Sequence, residues 1–501
     1  MNLGMLLDMA ADGLGDRVAL GRASDGISFE GLRTRARRVA AFLADADGDR
    51  VGFIDLNTDA VPLALFGAAL AGKPFAPVNY RLADAQLTAI LRRMAPAVVI
   101  VGPGTAERIG DVEGITAITR GRLLEVAGDP ASPELPEGFV DPEDVAVLLF
   151  TSGTTGEPKA AVLRHRNLAS YVLSTVDFGG AAEDEATLIS VPPYHIAGVS
   201  AVLSNLYAGR RAVRLEAFEP GQWAQVARDE AVTHAMVVPT MLSRVLDALE
   251  SETQTGIGGL PALRTLSYGG GPMPLQVIER ALKALPGVGF VNAYGLTETS
   301  STIAVLGPDD HREAFSADDP ATRARLGSVG RPLPSVTVSI RDPFDEELPA
   351  GERGEIWVSG EQVSGEYLGK GGLQDGWFRT RDAGMLDEAG YLFVYGRLDD
   401  VIVRGGENLS PGEIEAALLE HPEVAEAAVF GVPDTEWGEK VVAAVVLQPG
   451  ATTDPEELKA HVRARLRSTC TPAYIQIRAS LPYTETGKLL RRELRAELSE
   501  V

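Results

Sequence analysis

Short apolar runs alternate with longer amphipathic stretches through the first ~330 residues of the chain. The apolar runs are rich in β-branched residues and end at turn residues, which predicts buried strands. We expect strands at Val51–Ile54, Pro74–Val78, Ala97–Val101, Val145–Phe150, Thr187–Val191, Ala235–Val238 and Thr265–Ser267. Amphipathic stretches such as Phe29–Ala44 predict helices between several of them. Strands separated by helices indicate parallel β-α-β units, hence an α/β fold whose sheets are covered on both faces.

The pattern changes twice farther along the chain. Residues 330 to 395 carry short strands with Gly, Pro and Asp turns, which predicts an antiparallel barrel or sheet. After Gly396, the strings SPGE (410–413) and DPEE (454–457) each predict a helix start with a capping box and a proline in the first turn. Apolar runs at 427–432 and 441–447 predict strands between these helices. A compact α+β unit of about 100 residues therefore closes the chain.

Composition narrows the range of functions. The 501-residue chain has a formal net charge of −24, from 46 basic and 70 acidic residues, which disfavours binding to nucleic acid or to an anionic membrane surface. Cys470 is the single cysteine, so no internal disulfide forms. The longest strongly apolar window, residues 60 to 72, is too short to span a bilayer. The N-terminal segment lacks the basic region of a signal peptide. These features predict a cytoplasmic protein without an integral membrane segment.

The segment from Phe150 to Leu163 reads FTSGTTGEPKAAVL, a hydroxyl- and glycine-rich loop between two apolar runs. Hydroxyl groups donate hydrogen bonds to an anion, glycines let backbone amides approach it, and a lysine adds positive charge. The candidate residues are Thr151, Ser152, Gly153, Thr154, Thr155 and Lys159. The loop matches neither the P-loop string nor the G-x-G-x-x-G dinucleotide turn. It predicts a bound polyphosphate, with an ordinary surface turn as the alternative.

Four further strings follow: NAYGLTET (292–299), WFRTRD (377–382), YGRLDDVIVRGGEN (395–408) and PYTETGK (482–488). In order and spacing, they and the hydroxyl-rich loop resemble the adenylate-forming superfamily, which includes acyl-CoA synthetases, firefly luciferase and the adenylation domains of peptide synthetases. The resemblance covers nearly the whole chain. It implies a large N-terminal domain, residues 1–396, of two β-α sheets plus a small β-barrel at about 330–395. A small mobile α+β domain, residues 397–501, would follow, with its hinge at Asp399.

The resemblance assigns a nucleotide site to this chain. ATP and AMP would be bound by Thr151, Ser152, Gly153, Thr154, Thr155, Lys159, Gly270, Asn292, Tyr294, Gly295, Asp382 and Arg397. Tyr294 would stack on adenine, and Asp382 would accept hydrogen bonds from the ribose hydroxyls. Glu298 and Thr151 would hold Mg²⁺, and Thr297 would contact the α-phosphate. Two residues depart from the family pattern, because Ala160 and Arg381 stand where glycine is usual.

The resemblance also implies an acyl pocket and a thiol channel. The pocket would be formed by Tyr194, His195, Gly198, Gly269 and Gly271. His195 would lie beside the bound carboxylate and Lys488 would bridge it to the α-phosphate, whereas Gly405 and Gly406 would admit the pantetheine of CoA. No acidic residue occurs from 190 to 204 to hold an amino group, which favours a carboxylic acid without an α-amine.

The implied reaction has two steps, with ATP and CoA as co-substrates. A carboxylic acid is converted to its acyl-adenylate with release of pyrophosphate, and the CoA thiol then takes the acyl group and releases AMP. The alternatives are a ligase that loads a carrier protein, a luciferase-like oxidation, and a non-catalytic adenylate-binding protein. The sequence leaves the oligomeric state open, and a homodimer is one possibility. Lys488 is a candidate target for acetylation by a lysine acetyltransferase.

Overall fold

The computed structural model describes residues 1–151, 159–254, 259–405, 407–483 and 489–498. The helices are α1 (Leu3–Leu14), α2 (Phe29–Asp45), α3 (Ala60–Leu70), α4 (Asp84–Met94), α5 (Thr105–Ile109), α6 (Arg120–Gly128), α7 (His165–Thr175), α8 (Ile196–Ala208), α9 (Pro220–Asp229), α10 (Pro239–Gln254), α11 (Leu275–Ala284), α12 (Pro308–Ser316), α13 (Pro320–Ala324), α14 (Pro411–Leu419), α15 (Pro455–Arg463) and α16 (Arg491–Glu497).

The strands are β1 (Val18–Leu20), β2 (Ile27–Ser28), β3 (Arg50–Ile54), β4 (Phe75–Pro77), β5 (Ala97–Val101), β6 (Ile115–Thr119), β7 (Val145–Thr151), β8 (Lys159–Arg164), β9 (Ala186–Ile189), β10 (Arg211–Arg214), β11 (His234–Val237), β12 (Thr265–Gly269), β13 (Gly289–Leu296), β14 (Ser301–Leu306), β15 (Arg331–Pro332), β16 (Thr337–Arg341), β17 (Gly354–Ser359), β18 (Glu366–Tyr367), β19 (Leu373–Gln374), β20 (Trp377–Leu386), β21 (Leu392–Arg397), β22 (Ile402–Arg404), β23 (Glu407–Leu409), β24 (Val424–Asp434), β25 (Gly438–Leu447) and β26 (Tyr474–Arg478).

Two mixed sheets, built mainly from strands before residue 330, form the larger part of the fold. The first has the order β18-β8-β7-β4-β3-β5-β6, in which β3 to β7 are parallel and β8 and β18 are antiparallel additions at one edge. The second has nine strands in the order β15-β14-β13-β12-β11-β9-β10-β1-β2, with a parallel centre from β13 to β1. All seven strands predicted before residue 330 lie in these sheets, close to their predicted bounds.

The largest apolar cluster contains residues of both sheets, such as Phe53 of β3 and Ile189 of β9, together with α2, α3 and α8. Every residue of α3 from Ala60 to Ala69 is buried, which explains why its sequence is apolar on all sides. Among the described residues, no helix is long and apolar enough to cross a membrane. The predicted α/β architecture with two sheets is confirmed.

Residues 330 to 397 contribute to three sheets. Strands β16, β17, β19, β20 and β21 form the predicted antiparallel unit, an open five-stranded sheet in which β19 and β21 both pair with β20. Strand β15 instead joins the edge of the nine-stranded sheet, and β18 joins the seven-stranded sheet. The assignment of this whole stretch to one barrel-like unit was therefore too simple, because two short strands within it pair with distant partners.

The last strands build a separate α+β unit. Its sheet has the order β23-β22-β25-β24, with β26 parallel to β25. The side chain of Asp454 accepts hydrogen bonds from two backbone amides at the start of α15, so the predicted cap is present. Glu457, the other half of the predicted box, accepts instead from the Thr453 hydroxyl at 3.0 Å. The capping box predicted at Ser410 is wrong, because its hydroxyl donates to the carbonyl of Tyr395 at 2.9 Å and Glu413 pairs with Arg353 at 3.2 Å.

Candidate active site

The hydroxyl-rich loop joins two paired strands. Strand β7 ends at Thr151 and β8 begins at Lys159, and these two residues are cross-strand partners. Lys159 is exposed, so its ammonium group is accessible to a ligand. Ala160 is buried opposite Phe150 within the ladder, which shows that this strand accepts alanine at the usual glycine position. The candidates Ser152, Gly153, Thr154 and Thr155 lie outside the described residues.

Glycines lie where the parallel strands of the nine-stranded sheet end. A β-carbon on Gly269 would come within 2.3 Å of the Ala293 carbonyl oxygen, and one on Gly295 within 1.8 Å of the Ser301 carbonyl oxygen. Tight backbone packing therefore requires both glycines. The same holds for Gly198, against Pro192. In contrast, a β-carbon on Gly271 would meet nothing within 4 Å, so Gly271 is the glycine here that faces open space.

Two neighbouring candidates have backbone roles. Gly270 adopts a left-handed φ of +81°, a conformation that glycine takes without strain. The buried Asn292 amide donates to the carbonyl of Ser328 at 3.1 Å, which connects the middle of β13 to the segment before β15. Gly270 directly follows β12, at the edge where ligands bind in open α/β sheets. Asn292 pairs with Tyr268, one residue before the parallel pairing of β13 with β12 ends.

A β-bulge places Asp382. The pairing of β17 with β20 passes from Trp357–Arg379 to Glu355–Ala383, so one residue of β17 faces the three residues 380–382. Arg381, at the centre of the bulge, has a left-handed φ of +62°. Its backbone amide donates to Glu355 Oε1 at 3.2 Å. Bulges re-aim side chains beside functional sites, and this one turns the carboxylate of Asp382 inward.

The inward carboxylate of Asp382 joins two other candidates, Tyr294 of β13 and Arg397, its cross-strand partner in β21. The Tyr294 hydroxyl donates to Asp382 Oδ2 at 2.6 Å, and Arg397 Nη1 donates to Asp382 Oδ1 at 3.1 Å. Arg397 also donates to the Thr380 carbonyl at 2.9 Å. Burial and the adjacent carboxylate hold the pKa of the Tyr294 phenol well above its usual value, so the phenol stays a hydrogen-bond donor. An aromatic ring, a carboxylate and a guanidinium therefore meet in one place.

A second group forms around Glu298. The short turn 297–299 after β13 carries Thr297 and the buried Glu298. The hydroxyl of Tyr367 donates to Glu298 Oε1. The ammonium of Lys159 lies 5.8 Å from the centroid of the same tyrosine ring, a cation–π contact. Lys159 and Glu298, which the sequence placed in two separate strings, are therefore connected through one side chain.

The structure also tests whether Glu298 fits a magnesium ion. Its carboxylate is a hard oxygen ligand of the kind that Mg²⁺ prefers. Among the described residues, no group of three or more His, Cys, Asp or Glu side chains could hold an ion alone. Mg²⁺ usually keeps several waters and binds one or two carboxylates plus substrate phosphates. A single carboxylate therefore fits an ion that arrives with a nucleotide, and the Mg²⁺ site stays a prediction.

Three aromatic rings mark the predicted acyl pocket. His195 lies 4.6 Å from Tyr194 between ring centroids, and Tyr194 packs edge-on against Tyr80 at 5.8 Å. Burial lowers the pKa of His195 to about 4. The imidazole is therefore neutral at neutral pH and offers a hydrogen bond to a carboxylate without adding charge.

The C-terminal candidates are partly described. Asp399 is exposed in a short turn between β21 and β22, where the chain passes from one sheet to another. Gly405 has a φ of +58°, and its amide donates to the carbonyl of Trp437 at 2.7 Å. A β-carbon on Gly405 would lie 2.8 Å from the half-exposed Trp437 ring. Gly406 and Lys488 lie outside the described residues.

Sequence reasoning missed two of these side chains. Tyr367 follows Glu366 in a segment that the pattern assigned to the barrel-like unit, and nothing in its local sequence distinguishes it. Tyr80 follows strand β4, and its position beside Tyr194 depends on how the two large sheets pack together. The assigned functional roles of all the candidate residues remain predictions.

Comparison with known proteins identifies the family. The AMP-binding enzyme profile matches residues 7–368, and the AMP-binding enzyme C-terminal domain matches residues 413–488. A feruloyl-CoA synthase from Amycolatopsis sp. is 35% identical, covering 94% of this chain and 93% of its own. A fatty acid–[acyl-carrier-protein] ligase from Streptomyces coeruleorubidus is 34% identical, covering 94% of this chain and 91% of its own.

A solved structure gives the same result for the fold. The o-succinylbenzoate CoA synthetase of Bacillus subtilis, in complex with its acyl-adenylate intermediate, has a TM-score of 0.82 at 28% identity, covering 98% of this chain and 97% of that chain. The expected resemblance is confirmed over almost the full length. The chain therefore belongs to the AMP-binding enzyme family, within the adenylate-forming superfamily of acyl-CoA synthetases and ligases.

Proposed function

We propose that this enzyme activates a carboxylic acid with ATP and transfers the acyl group to CoA. The carboxylate oxygen attacks the α-phosphorus, the bond to the β-phosphate oxygen breaks, and pyrophosphate leaves. The CoA thiolate then attacks the acyl carbonyl carbon, and AMP leaves with the electron pair of the broken C–O bond. The products are an acyl thioester, AMP and pyrophosphate.

One observation carries the proposal. Tyr294, Asp382 and Arg397 come from three segments and meet within hydrogen-bond distance. Asp382 offers two acceptor oxygens to a ribose, Tyr294 offers an aromatic face to adenine, and Arg397 offers positive charge to a phosphate. This combination suits a nucleoside monophosphate. The first step leaves AMP attached to the acyl group, and the second step releases that AMP. One nucleoside monophosphate site therefore serves both steps.

The first step depends mainly on charge neutralisation and positioning. Lys159 supplies a cation at the end of the loop hairpin, and Lys488 supplies a second one from the C-terminal unit. A nucleotide-borne Mg²⁺ on Glu298 would neutralise phosphate charge. The neutral His195 imidazole orients the acid carboxylate without forming a tight ion pair, which would weaken its nucleophilicity.

The second step requires a change at the boundary between the two domains, residues 1–396 and 397–501. Asp399 is exposed in a short turn, so its backbone dihedrals can change without disturbing a core. Rotation there withdraws Lys488 and brings Gly405 and Gly406 towards the acyl-adenylate. Trp437, packed on Gly405, forms one wall for the pantetheine arm.

The acid itself is proposed to lack an α-amino group and to carry an apolar or aryl body. The ring contacts of Tyr194 with Tyr80 and with the neutral His195 support an aromatic wall on this side of the proposed pocket. The first-named relative is a feruloyl-CoA synthase, which supports an aromatic acid. We also propose a cytoplasmic location, because the proposed reaction consumes ATP and CoA.

The test is a panel of aliphatic, aryl and amino acids scored for pyrophosphate release, with and without CoA, at saturating Mg²⁺·ATP. We expect release with at least one acid lacking an amine, and AMP and thioester in equal amounts once CoA is added. Failure of the purified protein to retain ATP or AMP with Mg²⁺ present would contradict the proposal.

A carrier protein is the second candidate acceptor, because one relative is a fatty acid–[acyl-carrier-protein] ligase at 34% identity. The two acceptors separate when the accepted acid is offered with CoA and, in parallel, with a phosphopantetheinylated carrier. Thioester formation on the carrier alone would favour the second candidate.

Regulation through Lys488 is part of the proposal. Acetylation would remove the positive charge that adenylation requires. Enzyme acetylated at Lys488 should lose pyrophosphate release and keep thioester formation from preformed acyl-adenylate. Full activity of the acetylated enzyme would contradict this.

A further inference from the structure

A five-residue segment of the chain, residues 364–368, connects the two charged groups of the nucleotide site. We call it the strap. At one end, the amides of Ser364 and Gly365 donate to the carbonyl of Glu298 at 2.9 and 3.1 Å. At the other end, the amide of Leu368 donates to the carbonyl of Ala160, next to Lys159, at 2.9 Å. The strap therefore fixes the turn of Glu298 relative to the strand of Lys159.

The centre of the strap is strand β18, which pairs antiparallel with β8. Glu366 accepts two hydrogen bonds from the Arg164 guanidinium, at 2.9 and 3.0 Å, at the far end of β8. Bidentate pairs of this kind restrict geometry as well as adding attraction. The pairing sets the face on which Tyr367 lies, because successive strand residues point to opposite sides.

Tyr367 projects from the strap between the charges. Its hydroxyl donates to Glu298 Oε1, and the ammonium of Lys159 lies 5.8 Å from its ring centroid. A tyrosine hydroxyl is a hydrogen-bond donor as well as an acceptor, so it can donate to a carboxylate, which only accepts. The hydrogen bond to Glu298 Oε1 restrains the rotation of this carboxylate, so its second oxygen has a defined direction.

We propose that Tyr367 is a positioning residue, which holds the carboxylate of Glu298 and the ammonium of Lys159 in place for a metal–triphosphate. This inference rests on the proposed function and extends it. The hydroxyl acts on Glu298, and hence on the affinity for the divalent cation. The ring acts on Lys159, and hence on the affinity for the nucleotide phosphates. The two contributions can be separated by substitution.

The experiment compares Tyr367→Phe with Tyr395→Phe. The first substitution removes the hydroxyl and keeps the ring beside Lys159. The second is a matched control. Within the part of the chain that the structure describes, the Tyr395 hydroxyl has one hydrogen-bond partner, the sulfur of Met385 at 3.8 Å. Mn²⁺ binding is measured by electron paramagnetic resonance in the presence of a non-hydrolysable ATP analogue, with no acid or CoA added. Thermal melting checks that each variant is folded.

We expect Tyr367→Phe to weaken Mn²⁺ binding about tenfold, the scale of one hydrogen bond to a charged group, while Tyr395→Phe matches the wild type. The half-saturating Mg²⁺ concentration for pyrophosphate release should rise by the same factor, with little change in the rate at saturating Mg²⁺. Tyr367→Leu should also raise the KM for ATP, because it removes the ring next to Lys159.

A double substitution isolates the coupling to Glu298. In a Glu298→Gln background, Tyr367→Phe should change Mn²⁺ affinity less than twofold, because the carboxylate that the hydroxyl orients is gone. Equal Mn²⁺ affinity in wild type and Tyr367→Phe, or an equal effect of Tyr367→Phe in both backgrounds, would overturn the positioning role alone. A wild-type protein without nucleotide-dependent Mn²⁺ binding would instead overturn the proposed function.

Discussion

Replacing Arg381 by glycine should stabilise the protein relative to replacing it by alanine. Arg381 adopts a left-handed φ of +62°, which costs a side-chain-bearing residue roughly 1–2 kcal/mol. Glycine avoids that strain, although its freedom in the unfolded chain costs about 0.5–1 kcal/mol. The ion pair that both variants lose is weak, since Arg381 Nε lies 4.0 Å from Glu355 and the arginine side chain is 54% exposed.

We therefore expect Arg381→Gly to be more stable than wild type by about 0.5 kcal/mol and Arg381→Ala to be slightly less stable. The gap between the two variants should be about 1 kcal/mol, or about 1 °C in melting temperature for a cooperative unit as large as the predicted N-terminal domain. Parallel differential scanning calorimetry of the three proteins measures it.

The KM for ATP serves as the second readout. The backbone hydrogen bond from residue 381 to Glu355 survives in both variants, so the bulge should still present Asp382 and the KM should stay within about twofold of wild type. An alanine variant as stable as the glycine variant would refute the reasoning, because it would mean that the left-handed backbone carries no strain at this position.

Three further outcomes are expected. Asp382→Asn should raise the KM for ATP by about 10- to 100-fold in pyrophosphate-release assays, because a charged acceptor shared with Tyr294 and Arg397 is lost; an unchanged KM would contradict the ribose assignment. The free energy of unfolding, measured with urea, should fall as pH drops from about 6.5 towards 5. Burial lowers the pKa of three histidines to about 4 in the folded protein, so in this pH range the unfolded chain binds more protons than the folded one; a free energy of unfolding that does not change with pH would contradict this. These histidines are His165, His195 and His234. Gly405→Ala should slow thioester formation and spare pyrophosphate release, because the added methyl group would meet the Trp437 ring at 2.8 Å; equal loss of both half-reactions would count against the channel.

The local sequence was sufficient for the strands and the helix that it predicted before residue 330. The helix expected at 29–44 occurs as α2 (Phe29–Asp45), and the strand expected at 97–101 has the same bounds as β5. The helix is read correctly because its apolar spacing matches the helical period. The strand is read correctly because a short, continuous run rich in valine and isoleucine is typical of a strand buried on both faces. The N-cap at Asp454 was also predictable, because a cap needs only residues two and three positions away.

The family could also be identified from the sequence, because each of the five ordered motifs is a short continuous string that can be recognised without knowing the fold. Their spatial relations did not follow. The sequence gives no sign that Asp382 is bonded to Tyr294, 88 positions away, or that Arg164 and Glu366, 202 positions apart, form one ion pair. At Ser410 the prediction from the local pattern was wrong, because the serine hydroxyl donates to the Tyr395 carbonyl, 15 positions earlier, instead of capping the helix.

The amino-acid sequence by itself thus determined the long buried strands, the order of the motifs and the chemical groups available for adenylation. Only the tertiary structure decided that β18 pairs with β8 and brings Tyr367 between Lys159 and Glu298. The physical reason is that a two-residue edge strand has almost no periodicity of its own. Its partner is selected by backbone hydrogen bonds and by side-chain contacts with residues far away in the chain, which become neighbours only when both large sheets have formed.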